Sequence, residues 1–173
     1  MLLKVLKYGE EILARKADPV MEISDEIKAL AADMFETCYK KNGVGLAAPQ
    51  VGKSVRLFII SIPPADRDSD DRKDYFEAAM INPEISEKKG KQTDEEGCLS
   101  VPNVYEEVER AMYITVRYTD LDGKEQILKA DGLTARAIQH ENDHLDGYLF
   151  VDRLPPMQKQ FIKKKLDAKY NVL

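Results

Sequence analysis

Only two cysteines occur in the 173 residues of this chain, so no disulfide framework holds it and a reducing compartment, the cytoplasm, is expected. An excess of basic charge is also missing. The formal net charge of -5 argues against general nucleic-acid affinity, and no specific DNA partner is expected. No stretch approaches the roughly 20 apolar residues that span a bilayer, so no membrane association is expected. The opening Met1-Leu2-Leu3-Lys4-Val5-Leu6 meets charge too soon for a signal peptide and lacks the Arg and Ser of a transit peptide. Repeats, low-complexity tracts and linkers are absent as well. The remaining composition, 43% hydrophobic and 33% charged, suits a single globular domain over 1–173 with enough chain for a core.

Histidine is equally scarce: there are two, and one motif uses both. Gln139-His140-Glu141-Asn142-Asp143-His144-Leu145 contains His-Glu-x-x-His. On an α-helix a four-residue step is nearly a full turn, so His140 and His144 share a face and can bind one metal ion. Glu141 lies about 100° further round the helix, outside the ligand set but close enough to exchange a proton with water at the site. Asp131 is placed to cap this helix and Gly147 to close it in a left-handed conformation. Leu133, Ala137 and Ile138 make its apolar side, and Gln139, Asn142 and Asp143 are expected to face solvent.

A catalytic metal needs a third protein ligand and one position open to water. Cys98, in Glu95-Glu96-Gly97-Cys98-Leu99-Ser100, is the leading candidate, because a thiolate is a strong ligand for zinc or ferrous iron. Gly97 beside it lets backbone approach a ligand closely. Cys38 reads differently. It falls on the buried stripe of a helix from Ser24 to about Lys41, with Ile27, Leu30, Ala31 and Met34, and is a core residue.

A third stretch, Gly43-Val44-Gly45-Leu46-Ala47-Ala48-Pro49-Gln50-Val51-Gly52, lacks the ending of a P-loop and the spacing of a dinucleotide fold. Its backbone, Gly45 included, has little side-chain cover and can pair with an extended peptide as an added strand.

In chain order, with the glycine-rich stretch first, the Cys98 stretch second and His-Glu-x-x-His last, the three blocks resemble those of peptide deformylase, and the resemblance runs over essentially the whole chain. It implies a metal-dependent hydrolase that removes the N-formyl group from N-formylmethionyl nascent chains and releases formate. Cys98, His140 and His144 would hold one divalent metal ion, Fe2+ in the cell, with Zn2+, Ni2+ or Co2+ as substitutes. Glu141 would act as acid and base. Gln50 and the Leu99 backbone N–H would meet the charge developing on the formyl oxygen. Val44, Leu99, Leu133 and Ala137 would line the methionine pocket. Asn142 stands where many members have an apolar residue, and Arg136 where an apolar wall would be expected, its guanidinium reaching solvent or a carboxylate. Tyr105 falls near the expected cleft without a motif of its own.

The alternative is a zinc endopeptidase, which shares the helix but needs a downstream third ligand such as Asp152. A structural zinc module would need a fourth protein ligand, and Cys38 is the only thiol left for it.

The expected architecture is α+β, a single domain of antiparallel strands packed around a central metal-binding helix. Strands are expected at Leu3–Leu6, Val55–Ile62, Ala79–Ile85, and in a hairpin of Met112–Thr119 with Glu125–Ala130 about Asp122-Gly123. Residues 63–74 read as a mobile surface insertion. The last helix, Pro156 to about Asn171, should bury Met157, Phe161, Ile162 and Leu166. Its lysines, Lys159, Lys163, Lys164, Lys165 and Lys169, would face outward, where a ribosome contact is open to them.

Overall fold

A computed structural model describes residues 1–65 and 70–173. The strand elements are β1 (Gly45–Ala47), β2 (Leu57–Ile62), β3 (Phe76–Lys89), β4 (Gln92–Cys98), β5 (Val101–Arg110), β6 (Tyr113–Thr119) and β7 (Glu125–Asp131). The helices are α1 (Asp25–Lys40), α2 (Gly132–Leu145) and α3 (Pro156–Lys169). Strands β1-β2-β3-β6-β7 form one antiparallel sheet in that order, and β4 with β5 makes a separate hairpin.

Strand β2 is apolar at five of its six positions because both faces are covered, and every residue in it is buried. One core, around Phe58, Ile60, Met80 and Ile138, joins this sheet to α2. A second, around Leu46, Leu57 and Ile59, holds Met34 and Cys38 of α1 on the opposite face. The Ser24 hydroxyl caps α1 by accepting from the Ile27 N–H at 3.3 Å, and Asn42 turns left-handed just beyond its end.

Several expectations change. Leu3–Leu6 forms no strand, because its backbone bonds go elsewhere: the Leu3 N–H to Thr37 Oγ1 at 2.9 Å and the Leu6 N–H to the Gln50 carbonyl at 2.7 Å. Strand β3 is longer than expected and shifts register between Ile81 and Glu84. There Asn82 is left-handed and Pro83 has no N–H for the ladder. The hairpin β4–β5 is an addition to the expected strands. Residues 66–69 of the expected insertion lie outside the described residues. Its far end is anchored, with the Arg72 guanidinium 4.1 Å from the Tyr39 ring centre and donating to Ser61 Oγ.

Helix α2 is covered almost all round, so the solvent face expected of Gln139 and Asp143 does not exist. The Gln139 amide spans the Ala111 N–H and carbonyl, and Asp143 pairs with two arginines. Burial of these two side chains is tolerated because both are hydrogen-bonded. Asp131 closes β7 and makes no side-chain cap, whereas Gly147 does turn left-handed at the other end. In α3, Met157 and Phe161 are exposed and only Leu166 is fully buried, because the helix docks through its later turns, where Leu166 and Ile162 join the third core with Tyr8 and Phe150.

Candidate metal centre

The β4–β5 hairpin folds its tip toward α2. Cys98 and Val101 face each other across it, leaving Leu99 and Ser100 as a two-residue turn. Cys98 Sγ comes to 3.5 Å from His144 Nε2. One ligand atom from each of Cys98, His140 and His144 lies within 4.8 Å of the other two. These three are the metal-capable cluster among the described residues.

A thiolate and two imidazoles suit zinc or ferrous iron, and three ligands leave a fourth position open. An orphaned acceptor supports the fit, since Glu141 Oε2 is buried with no hydrogen-bond partner among the described residues. Glu141 Oε1 sits 3.7 Å from His140 Nε2. Burial pushes the Glu141 carboxyl up to about 7, although His140 pulls the other way. A carboxyl poised there can take and return a proton near neutral pH.

Glu96, to which the sequence reading gave no role, orients the first histidine. Its Oε1 is 2.8 Å from His140 Nδ1, which directs Nε2 toward the site. Arg110 grips Glu96 through Nε at 2.9 Å and Nη2 at 3.0 Å and reaches Asp143 through Nη1 at 2.6 Å. Arg153 holds Asp143 from the outer side at 2.8 Å. Arg136 also ends on the Glu96 carboxylate and donates to the Val108 carbonyl, so its expected carboxylate is identified. Burial alone would raise the Glu96 pKa, but hydrogen bonds from His140 and Arg110 outweigh it and hold the carboxyl down at about 2. For His140, burial favours the neutral ring, yet contacts with Cys98 and Glu96 hold its pKa well above the usual value. Burial drives His144 the other way, helped by its neighbour His140. The only advance signal for Glu96 was a second carboxylate beside the Gly97-Cys98 pair.

Gln50 is buried. Its carbonyl oxygen accepts from the Ala47 N–H at 2.9 Å, which fixes the amide, and Nε2 donates to Ser100 Oγ at 3.1 Å and toward Cys98 Sγ at 3.5 Å. Above Cys98, His140 and His144 opens a cleft of about 510 Å³, within the range of small-ligand sites. Val44, Gly45, Gln50, Gly97, Leu99, Leu133, Ala137 and Glu141 all line it, so the structure brings every expected pocket residue together. His144 lies beneath, fully buried.

The two glycines serve close packing. A β-carbon at Gly45 would stand 2.9 Å from Glu141 Cγ. One at Gly97 would stand 2.6 Å from the exposed Tyr105 ring, which covers that side of the glycine. Cys38 is in the core, donating to the Gly43 carbonyl at 3.1 Å, and burial pushes its thiol up to about 12. Asp152 is occupied as well. It accepts from the Leu149 N–H and from Lys163.

Comparisons with known proteins give the chain a family. The model of the family described as polypeptide deformylase matches residues 2–160. The peptide deformylase of Endomicrobium trichonymphae is 46% identical over 167 residues, 96% of this chain and 95% of the relative. The crystal structure of peptide deformylase from Thermus thermophilus superposes with a TM-score of 0.87 at 41% identity, covering 97% of this chain and 95% of that one. A Met-Ala-Ser-bound structure of the Acinetobacter baumannii class I type b enzyme gives 0.80 at 41% identity, over 89% of this chain and 99% of that one. On its sequence, its fold and the cluster at the foot of its cleft, this chain belongs to the polypeptide deformylase family, whose members remove the N-formyl group from nascent peptides.

Proposed function

We propose that Cys98, His140 and His144 hold the divalent metal of a deformylation site in which Glu141 moves the proton and Gln50 and Leu99 receive the developing charge. The whole chain, residues 1–173, serves as one catalytic domain arranged about α2. The carrying observation is the convergence of three ligand atoms within 4.8 Å beneath a cleft that also contains a buried, unpartnered Glu141 oxygen.

When bound, the metal supplies Lewis-acid chemistry, acidifying water and polarising the formyl carbonyl. Glu141 takes a proton from the water whose oxygen attacks the formyl carbon. Charge building on the formyl oxygen is met by the Leu99 backbone N–H and by the Gln50 amide proton that points toward Cys98 rather than Ser100. As the carbon–nitrogen bond breaks, Glu141 returns the proton to the amine, leaving formate and a free N-terminus. Val44, Leu133 and Ala137, with the stem of Leu99, take the methionine side chain. The Gly45 and Gly97 segments, which line the cleft, accompany the peptide backbone.

Ferrous iron is the working ion in this reading, and the cytoplasm the working compartment. Among the described residues no helix is long and apolar enough to cross a membrane. The lysines of α3 offer a face for ribosomal RNA phosphates. Reversing Lys159, Lys163 and Lys164 should then lower co-sedimentation with ribosomes, and an unchanged pellet refutes that contact.

An endopeptidase reading fares worse, since Asp152 is committed to the Leu149 N–H and Lys163. Formate release from a formyl-Met dipeptide, measured beside casein digestion, decides between them. Casein cleavage without formate release would reverse the assignment.

A further inference from the structure

Leu99 and Ser100 connect β4 to β5 by a two-residue turn, with Cys98 and Val101 in register at its base. Such turns usually close through positive φ at one or both central residues. Neither Leu99 nor Ser100 has one, so the turn lacks the backbone that would set it by itself. It is held from outside. Lys7 Nζ donates to the Leu99 carbonyl at 2.9 Å, the Tyr8 N–H to the Ser100 carbonyl at 2.8 Å, and Gln50 Nε2 to Ser100 Oγ at 3.1 Å. One residue earlier, the Leu6 N–H donates to the Gln50 carbonyl at 2.7 Å. Residues 6–8 therefore fasten together the two segments that carry Gln50 and Leu99.

Of these bonds from the N-terminal segment, the one from Lys7 alone comes from a side chain, and it falls on Leu99 itself. The ammonium also lines the cleft. Burial and the nearby Lys41 lower its pKa, with Cys98 acting the other way. The segment bearing it is separately anchored, with Tyr8 Oη donating to Asp167 at 2.6 Å.

We infer that Lys7 is a positioning residue of this enzyme: by clamping the Leu99 carbonyl it fixes the turn that presents the Leu99 N–H beside Gln50. The inference rests on the oxyanion role given to Leu99. Lys7 touches neither the cluster nor the reacting atoms in this account, so its loss should lower turnover without lowering substrate affinity or metal content.

Lys7→Met removes the donor while keeping an unbranched stem, and Lys7→Arg keeps a donor. Lys4→Met, at an exposed position three residues earlier, is the control. Steady-state rates on a formyl-Met dipeptide, elemental analysis, and hydrogen exchange of the peptide covering 98–101 are measured on each holoenzyme. For Lys7→Met the expected result is about a tenfold loss in kcat, the scale of a small misplacement, with KM within about twofold. Metal content should stay constant and exchange at 98–101 should quicken. Lys7→Arg should recover most of the rate, and Lys4→Met should match wild type. Unchanged kcat, unchanged exchange, or a rise in KM alone, which would make Lys7 a substrate contact, each overturns the inference. Absence of formate release from the wild-type enzyme would instead overturn the parent reading, while the exchange comparison still reports whether Lys7 holds the turn.

Discussion

Gly45 and Glu141 are in such close contact that a single methyl group on the glycine would lie 2.9 Å from Glu141 Cγ and 3.1 Å from its carboxyl carbon. Real β-carbons essentially never approach that closely. Strand β1 therefore runs flush against Glu141, and the glycine is required by packing more than by backbone freedom. Gly45→Ala should push the carboxyl off its place while leaving Cys98, His140 and His144 untouched. A fall in kcat of about 10²-fold is expected, the usual cost of about 1 Å misplacement, with full metal content. Steady-state kinetics beside elemental analysis checks it, and wild-type turnover would show that Glu141 has room to relax.

Glu141→Gln separates metal binding from chemistry. The residue contributes no ligand atom to the cluster, so metal should be retained. The amide cannot accept and return the proton, and activity should drop at least ~10²-fold. Near-normal turnover in the metal-loaded variant would move the base role to another group.

Glu96 should leave a signature in acid stability. Its carboxyl is held at about 2 in the folded protein, against an ordinary value of 4.5. A depressed folded-state pKa contributes stability that is fully present above 4.5 and lost as pH falls toward 2. The contribution is on the order of 3 kcal/mol, from about 1.4 kcal/mol per pKa unit. Urea midpoints of metal-free protein between those pH values should fall steeply for wild type and more gently for Glu96→Gln. That variant also leaves Arg110 partly unpaired, so it should start about 3–5 kcal/mol less stable at neutral pH. Parallel pH curves would remove Glu96 as the source.

The parts of this molecule that were legible in its sequence are those with local causes. Strand β2 announces itself because a strand covered on both faces must be apolar throughout. Helix α1 does so through its Ser24 cap and its stripe. The convergence of Cys98, His140 and His144 was legible because two histidines one turn apart and an isolated cysteine are each suited to the same kind of site. The β4–β5 hairpin was hidden because Gln92, Thr93, Asp94, Glu95 and Glu96 carry no apolar alternation, and only pairing with β5 makes them a strand. Asp143 looked solvent-facing because helical phase cannot reveal that Arg110 and Arg153 will cover it. Glu96 was missed for the same reason, since its partners stand 14 and 44 positions away in the chain.

The metal itself gives the last prediction. A thiolate with two imidazoles binds zinc and ferrous iron alike, so ligand type does not choose between them. Reactivity does. Ferrous iron can lose an electron to oxygen, and the adjacent thiolate can be oxidised in steps to sulfenic, sulfinic and sulfonic acid. Cys98 is only half-buried and lines an open cleft, so small oxidants reach it. Cys38, by contrast, is fully buried and should remain a thiol, giving an internal reference. Apo-protein rebuilt anaerobically with Fe2+ is expected to be the most active form and to decay in air as Cys98 gains oxygen. The Zn2+ form should be slower and should survive. Rates before and after exposure, with mass spectrometry of the Cys98 and Cys38 peptides, test each part. An air-stable iron form, or a zinc form that outpaces it, would defeat the assignment to ferrous iron.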